Sequence, residues 1–271
     1  VVTTPPGLLL WLISGDSALA RIAHTAGIAR VLVDLERLGK AERQAGRGLF
    51  LSTHDWADAV ALRAVLPAGA LFIRLDPLHD GSADQVERAL AIGVDGVMLP
   101  YFHRAEDVFR FADLVRGRAV LTPLVETRGA VRDLPAILAS GAIGEFHVGL
   151  NDLALDLGLD TLARLWGDPL LAEIAAAAQA HATPFGIGGV TDPRATGLPV
   201  SPAFVLEEHR RLGSTRALLG RSFRVAFEAA PDVAALRRAV AAIEEAYHAG
   251  PPADSARPLT RPGALLSGSA R

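Results

Sequence analysis

The chain has 271 residues, room for one large domain or two small ones, with 27 basic against 30 acidic side chains and a formal net charge of −3. That balance leaves no basic footprint for nucleic acid and no acidic tail. Cysteine is absent, which excludes disulfide frameworks, thiolate zinc sites and a cysteine nucleophile.

Apolar runs rich in Leu and β-branched residues recur along the chain, most of them followed by an Ala-rich amphipathic stretch. The first, Leu8–Ser14, precedes Ala18-Leu19-Ala20 and so has the outline of a signal peptide. It lacks a basic n-region, and Asp16 interrupts the approach to a cleavage site, so it is read as a buried strand and the protein as cytoplasmic. Helix Ser17–Ala26 follows, then strand Arg30–Glu36. Before helix Trp56–Leu66 come the polar, charged stretch Gly39–Gly48 and a short apolar run, Gly48–His54; an insertion in the connection is preferred over an extra strand. Strand Ala70–Asp76, helix Ala83–Ile92, strand Gly96–Pro100 and helix Ala105–Val115 come next. Strand Ala119–Thr127, helix Val131–Ala139, strand Glu145–Leu150 and helix Thr161–His181 continue the alternation. Strand Pro184–Val190, helix Pro202–Leu212, strand Arg216–Arg221 and helix Val233–His248 complete it. Eight strands alternating with helices predict an α/β fold, a single (β/α)8 barrel over residues 1–248, with strands apolar enough to be covered on both faces. No apolar stretch approaches the roughly 20 residues that span a bilayer, so no membrane partner is expected. Residues 249–271 are rich in Pro, Ser and Ala and read as a mobile tail.

Chemistry in such a barrel belongs at the C-terminal ends of its strands. The second strand ends in Asp34-Leu35-Glu36-Arg37, the third carries Arg74 and Asp76, and the fifth ends in Glu126-Thr127-Arg128. The sixth runs into Gly149-Leu150-Asn151-Asp152, the seventh ends in Gly186-Ile187-Gly188-Gly189 and the eighth in Gly220-Arg221-Ser222. Charges inside apolar strands are costly to bury unless paired or metal-bound. Glu126 and Asp152, on adjacent strands, could supply two hard oxygen ligands, with water filling the remaining positions, as proteins usually hold Mg²⁺. Arg74 would offer its planar donor fork to a carboxylate or enolate oxygen. Each residue alone has a plainer reading, since a carboxylate at a strand end often caps a helix or pairs with a loop arginine, and Asp152 could do either. Three such residues on different strands of one face point to a site. The glycines of 186–189 do not match G-x-G-x-x-G, and give weak support for a ligand with an anionic group.

The segments VLVDLERLGK (31–40), FIRLDP (72–77), GVMLPYFHRAEDV (96–108), LVETRGAVRDLPAIL (124–138) and FHVGLNDLALDLG (146–158) resemble the HpcH/HpaI aldolase and citrate lyase family, in order and over residues 8 to about 225. The resemblance implies a TIM barrel of the pyruvate/phosphoenolpyruvate-binding type and a divalent metal, Mg²⁺ foremost, with Mn²⁺ or Co²⁺ as the other choices. It implies a lyase or aldolase acting beside a carbonyl, on a 2-oxo acid (a pyruvate-type enolate) and an aldehyde. An acyl-CoA lyase or synthase of the citrate and malyl-CoA lyase branch is the alternative, less expected because the chain offers no basic, aromatic patch for a CoA adenine. A homo-oligomer is implied too, often a hexamer that exchanges C-terminal helices; the apolar stripe of Val233–His248 could do that or pack on its own barrel. Carried over by motif, Glu126 and Asp152 resemble the metal ligands and Arg74 the arginine that binds the keto acid and stabilises its enolate. The backbone of Gly149, Leu150, Asn151 and Asp152 resembles the wall that faces the substrate carboxylate. The sole lysine, Lys40, lies in the polar loop after the second strand, so Schiff-base chemistry is not expected.

One position departs from the pattern. Where pyruvate aldolases of the family carry a His after the Asp-x-Glu of the second strand, this chain has Arg37, and its D-L-E-R is closer to the V-D-L-E-D of the citrate lyase branch. His54 is a substitute acid/base candidate, or else a loop residue that helps Ser52 or Thr53 cap the helix near Trp56. His79 could also reach the mouth, whereas His147, within a strand, reads as a satisfied core histidine. His24, His103, His181 and His209 read as helical or surface residues. Asp34 and Glu36 either organise water around the metal or pair with Arg37 or Arg74. The missing His supports a reading from a different class, a barrel that binds metal and keto acid without turnover.

Overall fold

Strands of three to six residues, nearly all buried, pair in parallel and close on themselves. The computed structural model describes residues 7–43, 52–229 and 231–249. Its strands are β1 (Leu9–Ile13), β2 (Arg30–Asp34), β3 (Leu71–Arg74), β4 (Gly96–Leu99), β5 (Val120–Val125), β6 (Phe146–Val148), β7 (Phe185–Val190) and β8 (Arg216–Leu219). They run round the barrel in chain order, with β8 hydrogen-bonded back to β1. The helices outside are α1 (Ser17–Thr25), α2 (Lys40–Arg43), α3 (Trp56–Arg63), α4 (Ser82–Ile92), α5 (Ala105–Val115) and α6 (Arg128–Ala139). They continue as α7 (Leu150–Asp156), α8 (Leu162–Trp166), α9 (Pro169–Ala180), α10 (Pro202–Leu212), α11 (Arg221–Ala229) and α12 (Val233–Ala249). The (β/α)8 TIM barrel expected from the alternation is the fold observed. No described helix is long and apolar enough to cross a membrane.

Four details differ from the sequence reading. The stretch expected as one helix over Thr161–His181 is two, because Gly167 ends α8 and Asp168 restarts the chain as N-cap of α9, its carboxylate accepting the Leu170 N–H with Pro169 in the first turn. Two short helices, α7 and α11, occupy segments read as strand ends and loops. The cap of α3 is Asp55 rather than Ser52 or Thr53, and it forms a reciprocal box with Asp58. The connection after β2 begins with α2, while residues 44–51, which contain most of the expected insertion, and the tail from 250 onward lie outside the described residues.

Alternation along the strands sorts the interior into levels. At the N-terminal end, Glu145 accepts from Arg30 and Arg216 and from the Thr122 hydroxyl. The middle level is apolar, built from Trp11, Leu32, Phe72, Met98 and Leu124. At the C-terminal end the same strands present Asp34, Arg74 and Glu126. Inward-facing glycines make this packing possible: a Cβ on Gly96 would lie 2.0 Å from a Phe72 ring carbon, one on Gly149 2.3 Å from Glu126 Oε2, and one on Gly186 2.3 Å from His147 Cε1. Each glycine thus yields its space to a side chain on the preceding or neighbouring strand.

Candidate active site

The charged level at the C-terminal end surrounds a cavity of about 390 Å³, lined by Asp34, Lys40, Arg74, Glu126 and residues 149–152, among others. Arg74, at the last position of β3, donates from Nε to Asp34 Oδ1 at 2.9 Å and from Nη2 to Asp34 Oδ2 at 2.6 Å, a bidentate pair on neighbouring strands. Burial alone would lower the Arg74 guanidinium; Asp34 and Glu36 more than offset it and raise its pKa. Burial would likewise raise the Asp34 carboxyl, but Arg74 and Lys40 hold it well below the usual carboxylate range. Both groups are therefore charged at neutral pH.

Lys40, placed by the sequence in the polar loop after the second strand, begins α2. It is buried, its ammonium 2.7 Å from Asp34 Oδ2 and 3.1 Å from Glu36 Oε2, and it lines the cavity. Arg43 was not singled out in the sequence. Its Nη2 lies 2.5 Å from Glu36 Oε1 and 3.7 Å from Asp152 Oδ2, with the guanidinium 3.7 Å from the centre of the Tyr101 ring. The carboxylates of Asp34 and Glu36 pair with Arg74, Lys40 and Arg43, while of these two residues Arg37 reaches only the Glu36 backbone carbonyl, at 3.4 Å. Its guanidinium goes to the carbonyls of Ser52 and His54, while its backbone N–H donates to Asp76 Oδ1 at 2.6 Å.

Glu126 follows β5 and is buried. Its Oε1 accepts the Tyr101 N–H at 2.8 Å, and among the described residues no basic side chain lies at ion-pair distance. Burial, with the Glu36 and Asp152 carboxylates close by, raises its pKa well above the ordinary value. Asp152, in the first turn of α7, is also buried and lines the cavity with Gly149, Leu150 and Asn151. These are hard oxygen donors facing one space, and a divalent cation between Glu126 and Asp152 would relieve the repulsion that raises Glu126. No group of three or more His, Asp or Glu residues forms a ready-made metal cage among the described residues. Two carboxylates with room for water and substrate oxygens fit Mg²⁺, which keeps much of its own shell.

His54 stands behind this wall rather than in it. Its Nδ1 accepts the Asp34 backbone N–H at 3.1 Å, which leaves the proton on Nε2 in the neutral ring, and it is not among the cavity-lining residues. Burial, with Arg224 and Arg37 nearby, lowers its pKa against the opposing pull of Asp34 and Asp58. His79 is held in its own turn, Nδ1 lying 3.0 Å from both Pro77 O and Ser82 Oγ. His209, read as helical or surface-placed, is fully buried in α10 against Ser214 Oγ. On the far wall, Gly188, Gly189, Gly220, Arg221 and Arg224 complete the lining.

A family model described as HpcH/HpaI aldolase/citrate lyase matches residues 8–188. An HpcH/HpaI aldolase from Desulfitobacterium hafniense DCB-2 superposes with a TM-score of 0.61 at 18% identity, over 86% of this chain and 93% of that one. An HpcH/HpaI aldolase/citrate lyase family protein from Burkholderia cenocepacia J2315 gives 0.62 at 18%, over 84% and 96%. Protein CitE from Mycobacterium tuberculosis, in complex with magnesium and pyruvate, gives 0.56 at 20%, over 90% and 92%. No curated protein sequence matches the chain.

Proposed function

The chain belongs to the HpcH/HpaI aldolase/citrate lyase family, and from that premise we propose that it is a divalent-metal-dependent carbon–carbon lyase. It cleaves or forms the bond beside the carbonyl of a 2-oxo acid, through a pyruvate-type enolate, with an aldehyde as second product or reactant. The observation that carries this reading is the cavity wall itself. Arg74 lines the same cavity as a buried carboxylate, Glu126, that lacks a basic ion-pair partner among the described residues, and Asp152 lines it too.

Glu126 and Asp152 would hold the ion, and Mg²⁺ bound there would supply Lewis acidity toward the 2-oxo group. Arg74 uses Nε and Nη2 on Asp34 and keeps further guanidinium donors for oxygen charge that develops on the enolate. Asp34 is a positioning residue: it fixes the fork of Arg74 and accepts from Lys40. Glu36 has the same duty toward Lys40 and Arg43, and His54 supports Asp34 through its backbone N–H. Lys40, held between the carboxylates of Asp34 and Glu36, adds positive charge to the wall. The backbone of 149–152 faces the same space and suits the substrate carboxylate.

Deuterium exchange into the methyl group of pyruvate tests the proposal, because enolisation is the half-reaction shared by every aldehyde partner. Exchange above the metal-only control is expected with Mg²⁺ or Mn²⁺, is lost with EDTA, and falls about 100-fold or more in Arg74→Ala. Exchange that persists in EDTA, or that Arg74→Ala leaves unchanged, would sink it.

A further inference from the structure

We propose that Lys40 is the catalytic acid and base of the site: its Nζ takes the proton of the substrate hydroxyl and returns it to the enolate carbon. The inference rests on the lyase reading above and supplies the proton carrier which that reading leaves unassigned.

Retro-aldol cleavage of a 4-hydroxy-2-oxo acid moves one proton from oxygen to carbon. The position at which pyruvate aldolases of the family carry a His holds Arg37, whose guanidinium is engaged by the backbone carbonyls of Glu36, Ser52 and His54. His54 and His79 do not line the cavity. His147 does, but it is not the satisfied core histidine expected from sequence. Both its ring nitrogens are buried without a hydrogen-bond partner among the described residues. Their edge packs on β7, where a Cβ at Gly186 would lie 2.6 Å from Nδ1 and 2.8 Å from Nε2. Arg74, Arg221 and Arg224 line the cavity too, but a guanidinium does not release its proton. Despite its burial Asp34 is held ionised, by Arg74 foremost, and Glu126 and Asp152 are reserved for the ion. Lys40 is the titratable lining side chain that remains.

Its surroundings suit a proton that comes and goes. Nζ lies 2.7 Å from Asp34 Oδ2 and 3.1 Å from Glu36 Oε2. An ammonium has three N–H bonds and an amine two, so the third proton can leave with both carboxylates still served. Nor does its departure leave a buried charge unmatched, because Asp34 also pairs with Arg74 and Glu36 with Arg43. Asp34 Oδ2 receives Arg74 Nη2 at 2.6 Å as well, so Nζ stands beside the guanidinium assigned to the enolate oxygen. Of the chain's 27 basic residues Lys40 is the sole lysine, at a place where an arginine could supply charge but not a mobile proton.

In cleavage the amine takes the C4 hydroxyl proton. The C3–C4 bond breaks, its electron pair passing into the enolate while the aldehyde carbonyl forms. The ammonium then gives that proton to C3: the N–H bond breaks, the C–H bond forms and the keto group returns, leaving the amine for the next turnover. Condensation runs the same steps in reverse.

The test compares methyl exchange of pyruvate, with Mg²⁺, in wild type, Lys40→Arg and Lys40→Ala, because that exchange reads proton transfer at carbon directly. Both variants are expected to lose about 100-fold or more. Lys40→Arg keeps the charge, and with it the wild-type Mn²⁺ affinity in electron paramagnetic resonance. Methylamine restores exchange to Lys40→Ala in proportion to its free-base concentration, and does nothing for Lys40→Arg. A further readout needs no turnover: ε-¹³C-labelled lysine gives one resonance in this chain, and it shifts when oxalate, a planar mimic of the enolate, is added with Mg²⁺. Wild-type exchange in Lys40→Arg would reduce the residue to a fixed charge and overturn the proposal. So would a pyruvate adduct trapped on Lys40 by borohydride, or a lysine resonance that oxalate leaves unmoved. If Lys40→Arg does not fold, the rescue of Lys40→Ala decides, and its failure counts against the proposal. No exchange in wild type defeats the lyase reading and this inference with it, whereas exchange that survives in Lys40→Arg defeats this inference alone.

Discussion

Asp34 carries more of the site than any other single residue, because it fixes Arg74 and Lys40 together from a position that is 3% exposed. Removing one partner of a buried ion pair leaves the other charge unmatched, which typically costs about 3–5 kcal/mol. Asp34→Asn is expected to destabilise the protein by roughly 3 kcal/mol at pH 7 in denaturant unfolding. The sign with pH follows from linkage. The folded carboxyl titrates below the unfolded one, so its contribution is complete above the unfolded value of about 4 and fades as pH falls toward the folded one. The difference between wild type and Asp34→Asn should therefore stay constant from about pH 6 to 8 and narrow only in acid; a gap that narrows near neutrality would contradict the pairing. At this scale the sequence was legible where a strand places the side chain. Asp34, Arg74, Glu126 and Asp152 fall at strand ends or one turn beyond, and period-two alternation turns the first three inward. Lys40 and Arg43 hang from the connection after β2, where no strand period sets a direction, and the i,i+4 spacing of Glu36 and Lys40 has meaning only on a helix, whereas α2 begins at Lys40 itself.

Among the elements, β6 and its turn into α7 decide whether the carboxylates converge. Gly149 is the residue that allows it, since a Cβ there would stand 2.3 Å from Glu126 Oε2 and 2.9 Å from Glu126 Cβ. Both atoms belong to a buried side chain with little room to yield, and such overpacking costs about 1–3 kcal/mol. Gly149→Ala is expected to fold, to lose about that much stability, and to weaken Mn²⁺ binding by about tenfold or more as Glu126 turns away. Electron paramagnetic resonance of free Mn²⁺ reads the affinity directly, and wild-type affinity in the variant would show that Glu126 is not a ligand. The strands were legible as apolar runs because a parallel barrel buries them on both faces. The turn after β6 was not, because Gly149–Asp156 continues the apolar run and a helix of seven residues is too short to show its period. The split between α8 and α9 was written in Gly167-Asp168-Pro169, stop and start signals that the Ala-rich periodicity on either side obscured.

For the whole molecule, closure is achieved twice, by β8 on β1 and by α12 in the ring of helices. α12 follows α11 and packs against both α1 and α10, so the last helix locks the first. Its buried stripe is Leu236, Ala239, Val240, Ile243 and Tyr247; the Tyr247 hydroxyl donates to Ser214 O at 3.1 Å, and Arg237 donates to Thr25 O at the end of α1. The stripe was equally compatible in sequence with a helix lent to a neighbouring subunit. Here it is filled by the chain's own barrel. That arrangement has a thermodynamic signature, since packing within one chain does not respond to mass action, whereas packing between chains makes stability depend on protein concentration. Ile243 has no exposed surface, and truncating such a side chain to alanine costs about 2–5 kcal/mol. Ile243→Ala should therefore lower Tm by the same amount over about a hundredfold range of protein concentration. A Tm for wild type that climbs with concentration, and a loss in Ile243→Ala that grows on dilution, would instead place α12 on a partner and make the helical ring a property of the assembly.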